Sequence, residues 1–153
     1  MPLRPYQAQL YDDIKAAFLQ GYRHVCAVLP CGGGKSVIIA AIAKAATDKG
    51  NRVLFLVHRK ELCDQILGHM KRQGVDPSFC SVMTVQTASR RLRNLEPPAL
   101  IIIDEAHHSL SASYGRIFQA FPAACVVGFT ATPQRMGEGG LGAVFDLSLI
   151  HIS

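Results

Sequence analysis

Apolar runs of strand length alternate with longer stretches of helical periodicity along this chain. Five of these runs are rich in Val, Ile, Leu or Phe, as buried strands are. They occupy residues 24–29, 52–57, 81–85, 100–103 and 124–129. Apolar residues at helical spacing predict helices over residues 5–18, 35–46, 62–70 and 112–121. This alternation predicts an α/β fold with a mainly parallel sheet flanked by helices.

A glycine-rich loop follows the first predicted strand, at the sheet edge where parallel sheets bind ligands. It reads Leu29-Pro30-Cys31-Gly32-Gly33-Gly34-Lys35-Ser36 and opens a helix. Such a loop points backbone N–H groups at a phosphate, and the helix N-terminus adds its positive end. Lys35 would reach the β- and γ-phosphates, and the Ser36 hydroxyl would hold Mg²⁺. Leu29 replaces the first glycine of the general phosphate-loop pattern. The alternative to a phosphate-binding loop is a flexible glycine turn with a solvated lysine.

Two adjacent carboxylates, Asp104 and Glu105, end the fourth predicted strand. Carboxylates at the end of an apolar strand are costly unless a cation meets them. Asp104 would bind Mg²⁺ through water, and Glu105 would orient and activate the attacking water. The alternative is an acidic first turn of a helix, where carboxylates favour the dipole. His107 would act as a polar relay between the γ-phosphate side and neighbouring segments.

Two threonines, Thr130 and Thr132, lie on the Thr-Ala-Thr turn after the fifth predicted strand. Their hydroxyls can hydrogen-bond the acidic motif at the same sheet edge, which would transmit loss of the γ-phosphate to other segments. The alternative is a simple Ser/Thr turn closed by Pro133.

Together these motifs resemble the first RecA-like domain of a superfamily-two DEAD/DEAH-box helicase, a P-loop NTPase fold. Asp104-Glu105-Ala106-His107 resembles motif II, and Thr130-Ala131-Thr132 resembles motif III. Arg4 and Gln7 resemble the adenine-recognising motif, so the resemblance implies ATP and Mg²⁺ as cofactors. The implied ATP-binding residues are Arg4, Gln7, Pro30, Cys31, Gly32, Gly33, Gly34, Lys35 and Ser36.

The resemblance also implies a nucleic-acid partner. Segments around His58 and Arg59, and around Thr84 and Gln86, resemble the family motifs that grip the strand backbone. Segment 58–62, the doubled histidine at 107–108 and segment 132–146 look similar to RadD-type and restriction-enzyme-type proteins. Those proteins act chiefly on DNA, so DNA is favoured over RNA. The alternatives are an RNA helicase lobe, another P-loop enzyme such as a kinase, and a non-catalytic nucleotide- or DNA-binding fragment.

The family resemblance assigns residues 1–146 to one ATP-binding domain, and residues 147–153 do not continue it. The family works with a second RecA-like lobe, which supplies an arginine finger worth about a thousandfold or more in rate. The chain is therefore expected to be a fragment that hydrolyses ATP poorly without that lobe.

Composition fits a globular domain, with 49% apolar and 18% charged residues. A net charge of +5 permits a nucleic-acid partner. Apolar runs fall short of the roughly 20 residues of a membrane span, so we expect no membrane partner and a cytoplasmic location. The cysteines lack C-x-x-C spacing, which argues against a zinc site. Cys26, Cys80 and Cys125 adjoin apolar runs and are predicted core thiols.

Overall fold

A parallel sheet forms the centre of the molecule. The computed structural model describes residues 3–29, 34–104, 112–131 and 147–150. Within these residues the strands are β1 His24–Val28, β2 Val53–Val57, β3 Cys80–Thr84, β4 Leu100–Asp104, β5 Cys125–Thr130 and β6 Leu147–Ile150. Their spatial order is β3-β2-β4-β5-β1-β6, and every neighbouring pair is parallel.

Helices connect the strands and cover both faces of the sheet. They are α1 Pro5–Leu19, α2 Lys35–Asp48, α3 Glu61–Arg72, α4 Val85–Arg90 and α5 Ala112–Ala120, with a short 3-10 helix at Leu92–Asn94. Pro5 suits the first turn of α1, where a missing N–H costs nothing. Helix α3 is followed by Gly74 in the left-handed region, with φ 88°, which ends the helix.

Strand alternation divides the core into two layers. Phe55 and Ile102 face the layer formed with α1, α2 and α3, where Leu10 and Ile38 are fully buried. Leu56, Ile101 and Ile103 face the layer under α4 and α5, together with buried Tyr114 and Ile117. Because the sheet is apolar on both faces, its polar side chains gather at the strand ends.

The α/β class and the parallel sheet predicted from the sequence are confirmed. The prediction that Val85 ends a strand is wrong, because it is the first residue of α4. There the Thr84 hydroxyl accepts a hydrogen bond from the Thr87 amide at 3.1 Å and caps the helix. Residues 147–150 add strand β6 beside β1, and their expected departure from the family sequence stays a prediction.

Two of the three predicted core thiols are buried. Burial raises the pKa of Cys26 to about 12 and that of Cys80 to about 11, so both stay protonated thiols near neutral pH. Cys125 is only half-buried at the start of β5. None of the helices in the described ranges is long and apolar enough to cross a membrane.

Candidate functional site

Parallel strands bring the polar residues that end them to one edge of the sheet. Thr84 ends β3, Asp104 ends β4 and Thr130 ends β5. His58 follows β2, and Leu29 follows β1 and begins the glycine-rich loop. Since β5 lies between β4 and β1, Thr130 stands between the strand of Asp104 and that loop. We call this the carboxyl edge.

An ion pair joins two of the predicted catalytic residues at the carboxyl edge. Lys35 Nζ lies 2.6 Å from Asp104 Oδ1, and their side chains are 35% and 21% exposed. Lys35 is the first residue of α2, so its ammonium adds to the positive end of the helix. The pair sets an ammonium beside a carboxylate, the two kinds of group that phosphoryl-transfer sites use for a phosphate and for a metal ion.

Gly34 caps α2 in a conformation that favours glycine. Its φ is 76° and its ψ is 31°, in the left-handed region. A Cβ at Gly34 would collide with the side-chain amide of Gln7. The Gln7 Nε2 donates to the Gly34 carbonyl at 3.2 Å, and Gln7 Oε1 accepts from the Arg4 amide at 2.8 Å. The first turn of α1 is therefore fastened to the end of the glycine-rich loop.

Gln7, which the sequence predicts to contact adenine, forms hydrogen bonds within the protein through its side-chain amide. The side chain is only 4% exposed and makes both hydrogen bonds to main-chain atoms. A glutamine amide offers two donor hydrogens and two acceptor lone pairs. The two hydrogen bonds to described residues use one donor and one acceptor, and reading of adenine by Gln7 stays a prediction.

Ser36 lies on the exposed side of the α2 start, beside a groove between α2 and α3. The His69 Nε2 is 3.3 Å from the Ser36 backbone oxygen. The groove measures about 290 Å³, and Lys35, Asp104 and Phe55 are among the residues that line it. His69 lies inside the predicted helix 62–70, one residue before Met70, and no motif in the sequence pointed to it.

Thr130 is 3% exposed and connects β5 to the start of the loop. Its carbonyl accepts a hydrogen bond from the Leu29 amide at 2.9 Å. The register pairs Asp104 with Phe129, which places Thr130 close to the strand of Asp104. A hydrogen bond from the Thr130 hydroxyl to the acidic motif stays a prediction.

Residues predicted to contact nucleic acid lie on the β2–β3 side of the same edge. Val57 and Thr84 pair across the two strands, so His58 and Thr84 are close neighbours. His58 is half-buried, whereas Arg59 and Gln86 are exposed. These residues form one continuous flank of the carboxyl edge, beside the ion pair.

Several predicted site residues lie outside the described residues, and their roles stay predictions. They are Pro30, Cys31, Gly32, Gly33, Glu105, His107 and Thr132.

A family model described as type III restriction enzyme, res subunit, matches residues 1–90 and 76–135. The chain belongs to this family. Within it, the chain is a RecA-like domain of the superfamily-two helicases, which confirms the resemblance found in the sequence.

Relatives of this res-subunit domain are longer proteins. It is 49% identical over 117 residues to a 51.5 kDa protein of Lactococcus phage (isolate 7-9), covering 76% of the chain and 26% of that protein. It is 31% identical over 148 residues to the DNA 3'-5' translocase XPB2 of Sulfurisphaera tokodaii, covering 87% and 31%. The chain thus spans about a third or less of these relatives.

Solved structures share the fold of the res-subunit domain at low identity. The UvsW helicase of bacteriophage T4 superposes with a TM-score of 0.82 at 16% identity, over 99% of this chain and 61% of that one. The Sulfolobus solfataricus SWI2/SNF2 ATPase core, solved in complex with dsDNA, gives 0.72 at 17% identity, over 95% and 35%.

Proposed function

We propose that this domain is the ATP-binding and ATP-hydrolysing lobe of a DNA helicase or translocase. It would couple ATP hydrolysis to movement on, or remodelling of, nucleic acid. The observation that carries the proposal is the 2.6 Å contact between Lys35 and Asp104 at the carboxyl edge. Two residues that are distant in the sequence converge there beside a glycine-rich loop and a helix N-terminus.

The described residues suit a nucleotide with Mg²⁺. The ammonium of Lys35 would bind β- and γ-phosphate oxygens, and the Ser36 hydroxyl with the Asp104 carboxylate would hold the metal. Mg²⁺, when bound, neutralises charge on the phosphate oxygens. Glu105 would accept a proton from the attacking water, and Arg4 with Gln7 would contact the adenine.

The same arrangement gives a route from nucleotide to nucleic acid. Thr130 joins the strand next to Asp104 to the start of the loop, so displacement at either would reach the other. Thr132 and His107 would extend this coupling. The exposed side chains of Arg59 and Gln86, with His58 and Thr84, would contact the phosphates of a strand.

DNA is the proposed partner because DNA stands in the descriptions of both a relative and a solved neighbour, a translocase and a complex with dsDNA. The net charge of +5 favours either nucleic acid. A second RecA-like lobe would supply an arginine finger and the remaining strand contacts. We also propose a cytoplasmic location, as expected from the sequence.

The test is the ATPase rate of the full-length protein with single- and double-stranded DNA and with RNA, at a stated salt concentration. We expect stimulation by DNA that exceeds stimulation by RNA. Stronger stimulation by RNA would identify an RNA helicase lobe instead. Turnover that responds to neither would contradict the proposal and favour a different P-loop ATPase or a non-catalytic binding module.

A variant assigns the chemical step. Glu105→Gln keeps the size of the side chain but removes its basicity, so we expect nucleotide binding to persist while hydrolysis stops. Binding is measured by calorimetry and hydrolysis by phosphate release. Retained turnover in this variant would remove Glu105 from the catalytic role.

A further inference from the structure

Helix α3 adjoins two parts of the carboxyl edge. It begins at Glu61, just after the His58–Arg59 segment that is proposed to contact a strand. Near its other end, the His69 ring reaches the start of α2. One helix thus adjoins both the residues proposed to contact a strand and the start of α2, where Lys35 pairs with Asp104.

The contact from α3 is made to the main chain of the loop–helix junction. His69 Nε2 is 3.3 Å from the Ser36 carbonyl oxygen, and in the Nε2–H tautomer the ring donates a hydrogen bond. Because the acceptor is a backbone atom, the bond acts on the position of the first turn of α2. That turn carries both Lys35, which pairs with Asp104, and Ser36.

Helix α3 touches the core along one side, with Met70 as its buried residue. Met70 is 2% exposed in the core, and Ile66 packs against the same cluster. Packed helices respond to ligands by small sliding or rotation of the whole element. A displacement at the Arg59 end of α3 would therefore change the distance from His69 to Ser36.

We infer that His69 is a positioning residue that links strand binding beside α3 to the placement of Ser36 and Lys35. The inference rests on the proposed function and concerns the regulation of that same site. A single neutral hydrogen bond changes an equilibrium constant by about two- to tenfold. That range is the size of coupling expected from His69.

The test compares three variants of the full-length protein. His69→Ala removes the donor, His69→Gln keeps an N–H donor, and Lys71→Ala changes an exposed position of the same helix. The readouts are the ratio of ATP turnover with and without single-stranded DNA, the KM for ATP, and hydrogen exchange at the start of α2.

We expect His69→Ala to lower the stimulation ratio by about two- to tenfold, in line with the loss of one hydrogen bond. The His69→Gln variant should retain at least half of the stimulation, and Lys71→Ala should match the wild type. In the wild type, DNA should alter hydrogen exchange in the first turn of α2, and His69→Ala should abolish that response.

Unchanged stimulation in His69→Ala, or an equal loss in Lys71→Ala, would overturn the inference while leaving the proposed function intact. A wild-type protein without DNA-stimulated turnover would instead refute the proposed function. Hydrogen exchange at the start of α2 then tests the role of His69 without turnover. A change on adding DNA that is lost in His69→Ala supports the inference, and a change that persists in His69→Ala overturns it.

Discussion

The carboxyl edge and the opposite, amino edge of the sheet each carry an ion pair with the same 2.6 Å separation. At the carboxyl edge Lys35 meets Asp104, with side chains 35% and 21% exposed. At the amino edge Arg52 meets Glu96, with side chains 41% and 68% exposed, and Arg52 also lies over the Phe79 ring. Distance alone does not distinguish the two pairs.

What differs is the structure around each pair. The carboxyl pair joins the first residue of helix α2 to the last residue of strand β4, next in sequence to the glycine-rich loop. The amino pair connects a residue before β2 to a residue before β4 and ties one loop to another. Both pairs line a groove, so what marks the carboxyl pair is the helix N-terminus, which adds a site for an anion beside its charges.

The glycines at the two ends of α2 also differ in their surroundings. Gly34 precedes the helix with φ 76°, and Gly50 follows it with φ 79°. A Cβ at Gly34 would collide with Gln7, whereas one at Gly50 would meet nothing within 4 Å. Both positions have a left-handed backbone, which favours glycine. Of the two, Gly34 is the one where a side chain would also collide with a neighbour.

The largest expected effect separates the two ion pairs by nucleotide affinity. Lys35→Ala should weaken ATP binding by roughly a hundredfold or more, because hydrogen bonds to charged groups contribute about 1.5–3 kcal/mol each. The matched variant Arg52→Ala should bind ATP within about twofold of the wild type. Titration calorimetry on the full-length protein measures both, and unchanged affinity in Lys35→Ala would refute the phosphate-binding role.

The next effect separates the two glycines by stability. Gly50→Ala should lower the free energy of unfolding by about 1–2 kcal/mol through left-handed strain. Gly34→Ala should cost about 1–3 kcal/mol more, because the Gln7 amide must move. Urea denaturation gives the values. Equal losses at the two positions would show that the contact with Gln7 does not restrict the loop.

A smaller effect concerns Thr84, on the flank that is proposed to contact nucleic acid. Thr84→Ala should lower the free energy of unfolding by about 1 kcal/mol, because it removes the cap of α4. Thr84→Ser keeps the hydroxyl and should restore stability. If DNA affinity falls in Thr84→Ala even at a temperature where the protein is fully folded, Thr84 contacts the strand as well as capping the helix.

The smallest effect belongs to the amino edge. Glu96→Gln should change the free energy of unfolding by about 0–1 kcal/mol, as exposed ion pairs generally do, and should leave ATP turnover unchanged. A loss of turnover in this variant would mean that the two edges are not independent.

Strands β1, β2, β4 and β5 were predictable because each contains apolar residues buried on both faces, such as Ile101–Ile103 in β4. Strand β3 is partly exposed, and β6 was not predicted as a strand. Helix α4 was missed because it has only six residues and its first residue, Val85, extends the apolar run of β3. At that boundary a single hydroxyl, that of Thr84, decides between strand and helix.

The contact between Lys35 and Asp104 was predictable, since both residues lie at the carboxyl ends of parallel strands. Their binding of a nucleotide stays a prediction. The contacts of Gln7 with Gly34 and of His69 with Ser36 were not predictable. These contacts depend on how α1 and α3 pack against α2, and the local sequence pattern does not predict that packing.

The position of β5 in the sheet has a consequence for assembly during synthesis. β5 is the only described strand that bridges β4 and β1, yet it emerges from the ribosome after both of them. Until β5 inserts, the segment that carries Lys35 has no sheet contact with the segment that carries Asp104. Nascent chains that stop before residue 125 should therefore lack the assembled pair, and ATP binding should arise late and in one step.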